Sequence, residues 1–452
     1  MTIEYKQKVA NLYFCDMTGD HFITKNGGAK TKGDKMSKFY AIESTYEGEI
    51  SENTNYSALG RAGRDKVREP EEREMSIVPY GTDVNFLPQR DPVGMAKGRK
   101  TSWFKTGDEK VCAVALIPPI GYTRTLLPAY QIKKNIEMPF FAYTMGAFKD
   151  GEIYIAAIET DSSLRWDPSQ YNGPDLEKKI KLKIKKYPKN RLLKHLSKCA
   201  LEYGCWNAQN IFYDRWEGGI PVSESCNADC LGCISKKRKT KLQSPQNRIT
   251  FSPTVDEIVE IAVPHLKMGR AIISFGQGCE GEPLTKSDLI ASSISSIRKQ
   301  TDKGTIHINT NGVLTNGLEK LIDSGLDSVR ISMNSAVKET YDSYFHVGEH
   351  GFENMKKSVK LAKDRGLFVS INYLIMPGVN DNENEAKEFL KFIEEYKPDM
   401  IQTRNLNIDP EIYFSNMPTL KGQAIGIVNL LDEIKKVDEK IIIGNFNRPL
   451  KD

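Results

Sequence analysis

Cys226-Asn227-Ala228-Asp229-Cys230-Leu231-Gly232-Cys233 puts three cysteines within eight residues, spaced C-x3-C-x2-C. Three thiols on one short loop cannot all pair with one another as disulfides. Deprotonated, each is a soft anionic ligand that suits iron or zinc. A structural zinc site normally takes four protein ligands. No fourth cysteine or histidine follows closely, and the next candidates, His265 and Cys279, lie far along the chain. Three ligands with one position left open is what a reactive iron–sulfur cluster needs. A structural metal knuckle is the alternative.

Beyond this loop the chain becomes regular. Thr254 opens a helix, with Glu257 three residues on as the capping-box partner and Ile258, Ile261 and Ala262 on one face. Residues 271–275, 305–309, 328–333, 367–375 and 400–404 read as strands, and 287–300, 315–324, 352–363 and 383–396 as helices. Counting 220–223 as the first strand gives six βα units, the pattern of a parallel sheet and short of the eight of a closed barrel.

In such architectures the C-terminal strand ends face the active site. The second ends in Phe275-Gly276-Gln277-Gly278-Cys279-Glu280-Gly281-Glu282-Pro283, the third in Asn309-Thr310-Asn311-Gly312, and the fourth in Ser332-Met333-Asn334-Ser335. The fifth runs into Met376-Pro377-Gly378, and the sixth carries Gln402, Arg404 and Asn405. Glycine lets backbone approach a ligand closely, and a carboxylate pairs with an ammonium group. For each polar residue here the competing role is a turn cap or a buried hydrogen bond.

The cysteine spacing, followed one strand later by Gly281-Glu282-Pro283, resembles the radical S-adenosylmethionine (radical SAM) enzymes. The resemblance runs over about 221–407. It implies an α/β fold, a partial (βα)6 barrel. It implies that Cys226, Cys230 and Cys233 hold three irons of a [4Fe–4S] cluster, whose fourth iron binds the amino and carboxylate groups of S-adenosyl-L-methionine. It assigns Gly281 and Glu282 to the methionine amino group, and Asn309 and Asn311 to the element near the bound cofactor. Ser332 and Asn334 fall to ribose hydroxyls, and Arg404 to a carboxylate of cofactor or substrate. Two positions depart from the family pattern. Glu280 replaces a glycine, and Gly232 stands where an aromatic residue often contacts the adenine, so another contact must serve the base. The implied chemistry is reductive cleavage of S-adenosylmethionine to a 5′-deoxyadenosyl radical, which takes a hydrogen atom from a substrate. A one-electron donor such as flavodoxin or ferredoxin is implied as partner. No catalytic acid or base is named.

The first 198 residues read differently. Short apolar runs at 9–15, 38–45 and 111–117 are expected strands, while 18–36 and 47–73 read as polar loops. Residues 140–148 and 153–159 flank Lys149-Asp150-Gly151, a hairpin signal. A mostly-β N-terminal domain of unknown role follows. Ten Lys or Arg lie between Lys178 and Lys198. Ile180, Leu182 and Ile184 alternate like a strand there, and helical spacing follows Pro188. This run, and Lys236-Lys237-Arg238-Lys239 with Lys241, either track phosphates or are solvated faces. Cys199 and Cys205, beside Trp206, are too few for a second cluster and read as buried thiols, and Cys279 as a packed small side chain. Residues 419–437 read as a helix and 440–444 as a final strand; no cysteine follows Cys279, which argues for one cluster. Three segments are expected: 1–198, mostly β with the basic connector; 199–410, the barrel core; and 411–452, a helical tail.

With 452 residues, 27% charged and 39% hydrophobic, the chain has the composition of a soluble globular protein. Its net charge of +5 names no partner. No apolar run approaches the roughly 20 residues of a membrane span. Eight cysteines without a paired framework and no secretory leader fit a reducing, cytoplasmic setting. RNA, a peptide and a small metabolite stay open as substrates. A glycyl-radical activase is a second reading, and a non-catalytic metal- or nucleic-acid-binding module a third.

Overall fold

The computed structural model describes residues 39–96, 111–236 and 244–452. The expected strand 9–15, the loop 18–36 and most of the basic run 236–241 lie outside the described residues.

Seven parallel strands form one curled, open sheet in chain order: Glu217–Gly219, Ile272–Phe275, Thr305–Thr310, Ser328–Met333, Phe368–Ile375, Met400–Asn405 and Ile442–Gly444. Side chains alternate across a strand, and here the alternation separates two chemistries. Ile306, Ile308, Val329, Ile331, Val369, Ile371, Tyr373 and Ile401 enter one apolar core with the outer helices. Phe352, Met355, Val359 and Ala362 of helix Gly351–Asp364 meet them at helical spacing. Each such large side chain contributes about 1.5–3 kcal/mol on burial. The other face is polar, and its residues bond across strands: His307 with Ser328 at 2.7 Å, Asn372 to Ser332 at 3.1 Å, Arg330 to Gln402 at 2.9 Å. The capping box at Thr254 and Glu257 is formed as expected.

The first strand lies upstream of its expected place. Glu217–Gly219 pairs with Ile272–Phe275, and of 220–223 only Ile220 extends the ladder, its N–H donating to the Ser274 carbonyl at 2.9 Å. A Glu-Gly-Gly edge strand carries no apolar alternation. The alternating strand expected within 178–187 is instead helix Leu176–Lys186. Leu176 and Ile180 are its buried positions, four apart, whereas Leu182 is 59% exposed. The period of 3.6 therefore overrides the local alternation. Its lysines form i,i+4 pairs, Lys179–Asp175 and Lys181–Glu177, while Lys183 pairs with Asp214. Helices Trp206–Tyr213 and Lys338–Phe345 arise where none was expected, and the C-terminal helix begins only at Ile427, after Gly426.

The N-terminal part is strand-rich. Tyr40–Thr45 pairs with Ile50–Ala58 and with Gly146–Lys149 in an antiparallel sheet. Residues 47–73 thus hold a nine-residue strand where polar loop was expected. Its Ser, Asn and Glu residues lie in a ladder fixed by tertiary pairing rather than propensity. The Asp150–Gly151 hairpin is present. Asp150 and Gly151 have φ of 50° and 93°, the two positive values of a tight hairpin turn.

This region packs on the C-terminal ends of the fifth and sixth parallel strands. Arg124, wholly buried, donates to the carbonyls of Ile375 at 2.8 Å and Leu406 at 3.0 Å. Burial depresses its guanidinium to about 9. Asn405 brackets the same turn, accepting from the Arg124 N–H and donating to the Tyr122 carbonyl. Gly378 has φ +83°, and a Cβ there would lie 2.0 Å from the Gly63 nitrogen, so N-terminal backbone rests directly on the loop after the fifth strand. Arg90–Asp409 adds a buried ion pair. Asp161 accepts from the N–H groups of Asn445 and Phe446, just past the seventh strand.

Candidate cofactor site

The cysteine loop leaves the first strand through 220–223 and is held on two sides. On one, the Gly281 N–H donates to the Ser223 carbonyl at 2.7 Å and the Glu282 N–H to the Ser225 carbonyl at 2.9 Å. A Cβ on Gly281 would lie 1.8 Å from the Ser225 oxygen. Only glycine permits this approach, which seats the loop against the end of the second strand. On the other side the N–H groups of Asp229 and Leu231 donate to the carbonyls of Phe345 and Tyr344, at the end of helix Lys338–Phe345. The third strand adds a tie within the motif: Asn311 Nδ2 donates to Asn227 Oδ1 at 2.7 Å.

Cys226 is exposed, and Cys230 and Cys233 are half-buried. Burial pushes the Cys230 thiol up, and the charges of Cys226 and Cys233 push the same way. Partial burial and the Glu282 carboxylate likewise raise Cys226. Arg248 opposes this from outside the motif, its guanidinium 3.7 Å from Cys233 Sγ. Cys230 feels the charges of Cys226, Cys233 and Glu282, so a cation bound at this loop would be favoured, and three thiols of this kind are a donor set that fits a metal cluster.

Glu282 is 4% exposed. Its carboxylate accepts from the Leu284 N–H, the Thr310 hydroxyl and the Asn311 N–H, and burial raises it to about 7. A carboxylate has about four acceptor positions, so one is left over. Glu280, in the place of the family glycine, is a brace. It accepts from the N–H groups of Val222, Ser223, Gly276 and Gln277, pinning the exits of the first two strands together.

The strand-end residues divide. Gly281, Glu282 and Asn311 converge on the cysteine loop. Asn309 is turned inward, bonded to the Phe275 carbonyl and His307. Asn334 donates to the Thr340 carbonyl, and Ser332 accepts from Asn372. Arg404 has no ion-pair partner among the described residues. Burial and Arg404 lower Arg330 to about 9, and burial lowers Arg404 in turn. His265 is a core histidine: burial lowers it to about 4 and its Nε2 meets the Trp216 carbonyl at 3.0 Å.

Three contributors carry no sequence signal: Arg248, Arg330 and Tyr344. A Cβ on Gly232 would lie 2.6 Å from the Tyr344 hydroxyl, so Tyr344 fills the space of the side chain missing from the motif.

The Radical SAM superfamily model matches residues 220–392. GTP 3',8-cyclase of Petrotoga mobilis is 30% identical over 176 residues, covering 37% of this chain and 49% of that one. The probable GTP 3',8-cyclase of Methanosarcina mazei is 26% identical over 199 residues, covering 43% and 55%. FeMo cofactor biosynthesis protein NifB of Klebsiella pneumoniae is 24% identical over 182 residues, covering 36% and 38%. The chain thus spans about half the length of the curated cyclases it matches. Among solved structures, Streptococcus suis SuiB bound to precursor peptide SuiA aligns with a TM-score of 0.37 at 14% identity, covering 57% of this chain and 53% of that one. Residues 220–392 of the chain are thus similar to the radical SAM superfamily.

Proposed function

We propose that this protein is a radical SAM enzyme in which Cys226, Cys230 and Cys233 hold a [4Fe–4S] cluster and the neighbouring strand ends bind S-adenosylmethionine. The observation that carries this reading is the seating of the cysteine loop on Gly281, with the spare acceptor of Glu282 beside it. When bound, the cluster supplies the electron that cleaves the sulfonium, and the adenosyl product takes a hydrogen atom from the substrate. The chain's own residues bind and exclude. Glu282 receives the methionine ammonium at its remaining acceptor, with Gly281 leaving the room. Asn311, tied to Asn227, keeps the loop and the third strand in register. The N-terminal strands cover the ends of the fifth and sixth parallel strands and so keep water and stray hydrogen donors from the site.

Two guanidiniums without a carboxylate in contact, Arg330 and Arg404, face the inside of the sheet. Glu217 attracts both and Asp161 attracts Arg404 without touching them, and a pair of guanidiniums so placed suits a substrate with an anionic group. The ion-paired helix Leu176–Lys186 gives RNA binding little support. The test is anaerobic reconstitution of the full chain with iron and sulfide, then dithionite and S-adenosylmethionine. 5′-Deoxyadenosine forms with the parent and not with the Cys226→Ala, Cys230→Ala, Cys233→Ala triple variant. Equal product from both would refute the reading.

A further inference from the structure

A second group of soft ligands lies outside the cysteine loop. His195 and Cys199 sit four apart on helix Arg191–Glu202, hence on one face. Cys279 reaches them from the loop after the second parallel strand. The ligand atoms of these three all lie within 4.8 Å of one another. Cys199 Sγ is 3.5 Å from His195 Nε2. A zinc tetrahedron with Zn–S about 2.3 Å and Zn–N about 2.0–2.1 Å has an S···N edge of about 3.6 Å and an S···S edge of about 3.8 Å. The three groups therefore already stand near the corners of such a site.

Cys205 stands next to them. It is the N-cap of helix Trp206–Tyr213, and its N–H donates to the Cys199 carbonyl at 3.0 Å. Its charge acts on Cys279, and that of Cys199 acts on it. Cys199 and Cys279 are 1% and 4% exposed, and all three thiols are free of disulfides. Thiols packed only as small apolar groups need no imidazole among them.

We propose that His195, Cys199 and Cys279 bind a structural zinc ion, with Cys205, which stands outside their 4.8 Å group, turning in as the fourth ligand. Thiolates with one imidazole are the donor set of structural zinc; Cys199 and Cys279 are buried, and His195 and Cys205 half-buried. The site's place gives it a role. Cys279 stands two residues before Gly281, and helix Arg191–Glu202 is fastened at its start to Glu257 by the Arg191 pair. The ion would pin the helices before the barrel to the loop that carries Gly281 and Glu282. The proposal does not depend on what the Cys226–Cys233 loop holds.

The test uses the full chain with Cys226→Ala, Cys230→Ala and Cys233→Ala, so that the loop supplies no ligand. Metal analysis should find about one zinc per chain, and cobalt exchanged into the site should show thiolate charge-transfer bands and tetrahedral d–d bands. Adding Cys199→Ser and Cys279→Ser should remove both signals while the circular dichroism stays that of the parent. Should that variant fail to fold, His195→Ala keeps both buried thiols and should weaken cobalt binding by about tenfold or more. Absence of zinc and cobalt binding in the loop-less chain would overturn the proposal. So would a Cys199–Cys279 disulfide in anaerobically purified protein, iron–sulfur absorbance at this site, or metal retained at full affinity after Cys199→Ser and Cys279→Ser.

Discussion

The Cys226–Cys233 loop and the His195–Cys199–Cys279 group hold most of the chain's cysteines, and they reach their geometry by opposite routes. In the loop all three proposed ligands come from eight consecutive residues, and tertiary contacts seat the loop. In the other group two ligands share a helix and the third arrives from eighty residues away, so the set exists only once the barrel has closed on the preceding helices. The first is exposed at Cys226 and borders the strand ends, as an open, reacting centre requires. The second has its two thiols buried and its imidazole half-buried, as suits a structural one. Ligand spacing announces a site built for chemistry on a loop, while a site built to hold elements together is visible only in the fold.

Gly281→Ala separates the two most sharply. Its Cβ would overlap the Ser225 carbonyl, displacing the cysteine loop, so iron incorporation should fall several-fold or more and stability by about 1–3 kcal/mol. Metal at His195, Cys199 and Cys279 should persist. Iron analysis beside zinc analysis reads both, and a variant that keeps full iron would show that the close approach does not position the loop.

Arg124→Met acts on neither set of ligands. It leaves the buried Leu406 carbonyl without its donor, at about 1–3 kcal/mol, while the Ile375 carbonyl keeps the Leu406 N–H. Thermal unfolding should show the loss with iron and zinc contents unchanged. Unchanged melting would mean that the N-terminal strands are not anchored through this residue.

Glu282→Gln should keep the iron and weaken S-adenosylmethionine about tenfold, near 1.4 kcal/mol, measured by equilibrium binding to the reconstituted protein. Equal affinity would remove Glu282 from the methionine contact. Leu182→Gln, on the exposed side of helix Leu176–Lys186, should change stability by less than about 0.5 kcal/mol and neither metal content. A larger loss would restore the alternating, half-buried reading of that stretch.

Much of the barrel was legible because its signals are local. The strands of 305–310, 328–333 and 400–405 are short apolar or β-branched runs between helices, and Thr254–Glu257 is a box whose partners lie three apart. The Glu217–Gly219 strand was displaced because two glycines conceal an edge strand that its neighbour defines. Ile50–Ala58 was missed for a similar reason: nothing in Ser-Glu-Asn-Thr-Asn predicts a ladder with Tyr40–Thr45. In the candidate site, the proximity of Gly281-Glu282 to the cysteine loop was readable from the order of the motifs. Arg248, Tyr344 and Asn227 act through contacts across 15 to 113 residues, which no local pattern encodes. His195 and Cys279 joining Cys199 belongs to the same class, and changes two isolated thiols into part of a ligand set.

On the proposed reading, the Cys226–Cys233 loop holds a cluster with one iron open to S-adenosylmethionine. Electron paramagnetic resonance of the reduced, reconstituted protein tests this most directly, recorded with and without S-adenosylmethionine. The account predicts a [4Fe–4S]+ signal that changes shape when S-adenosylmethionine is added and is lost in the triple cysteine variant. A signal indifferent to S-adenosylmethionine, or one that survives removal of the three cysteines, would contradict it.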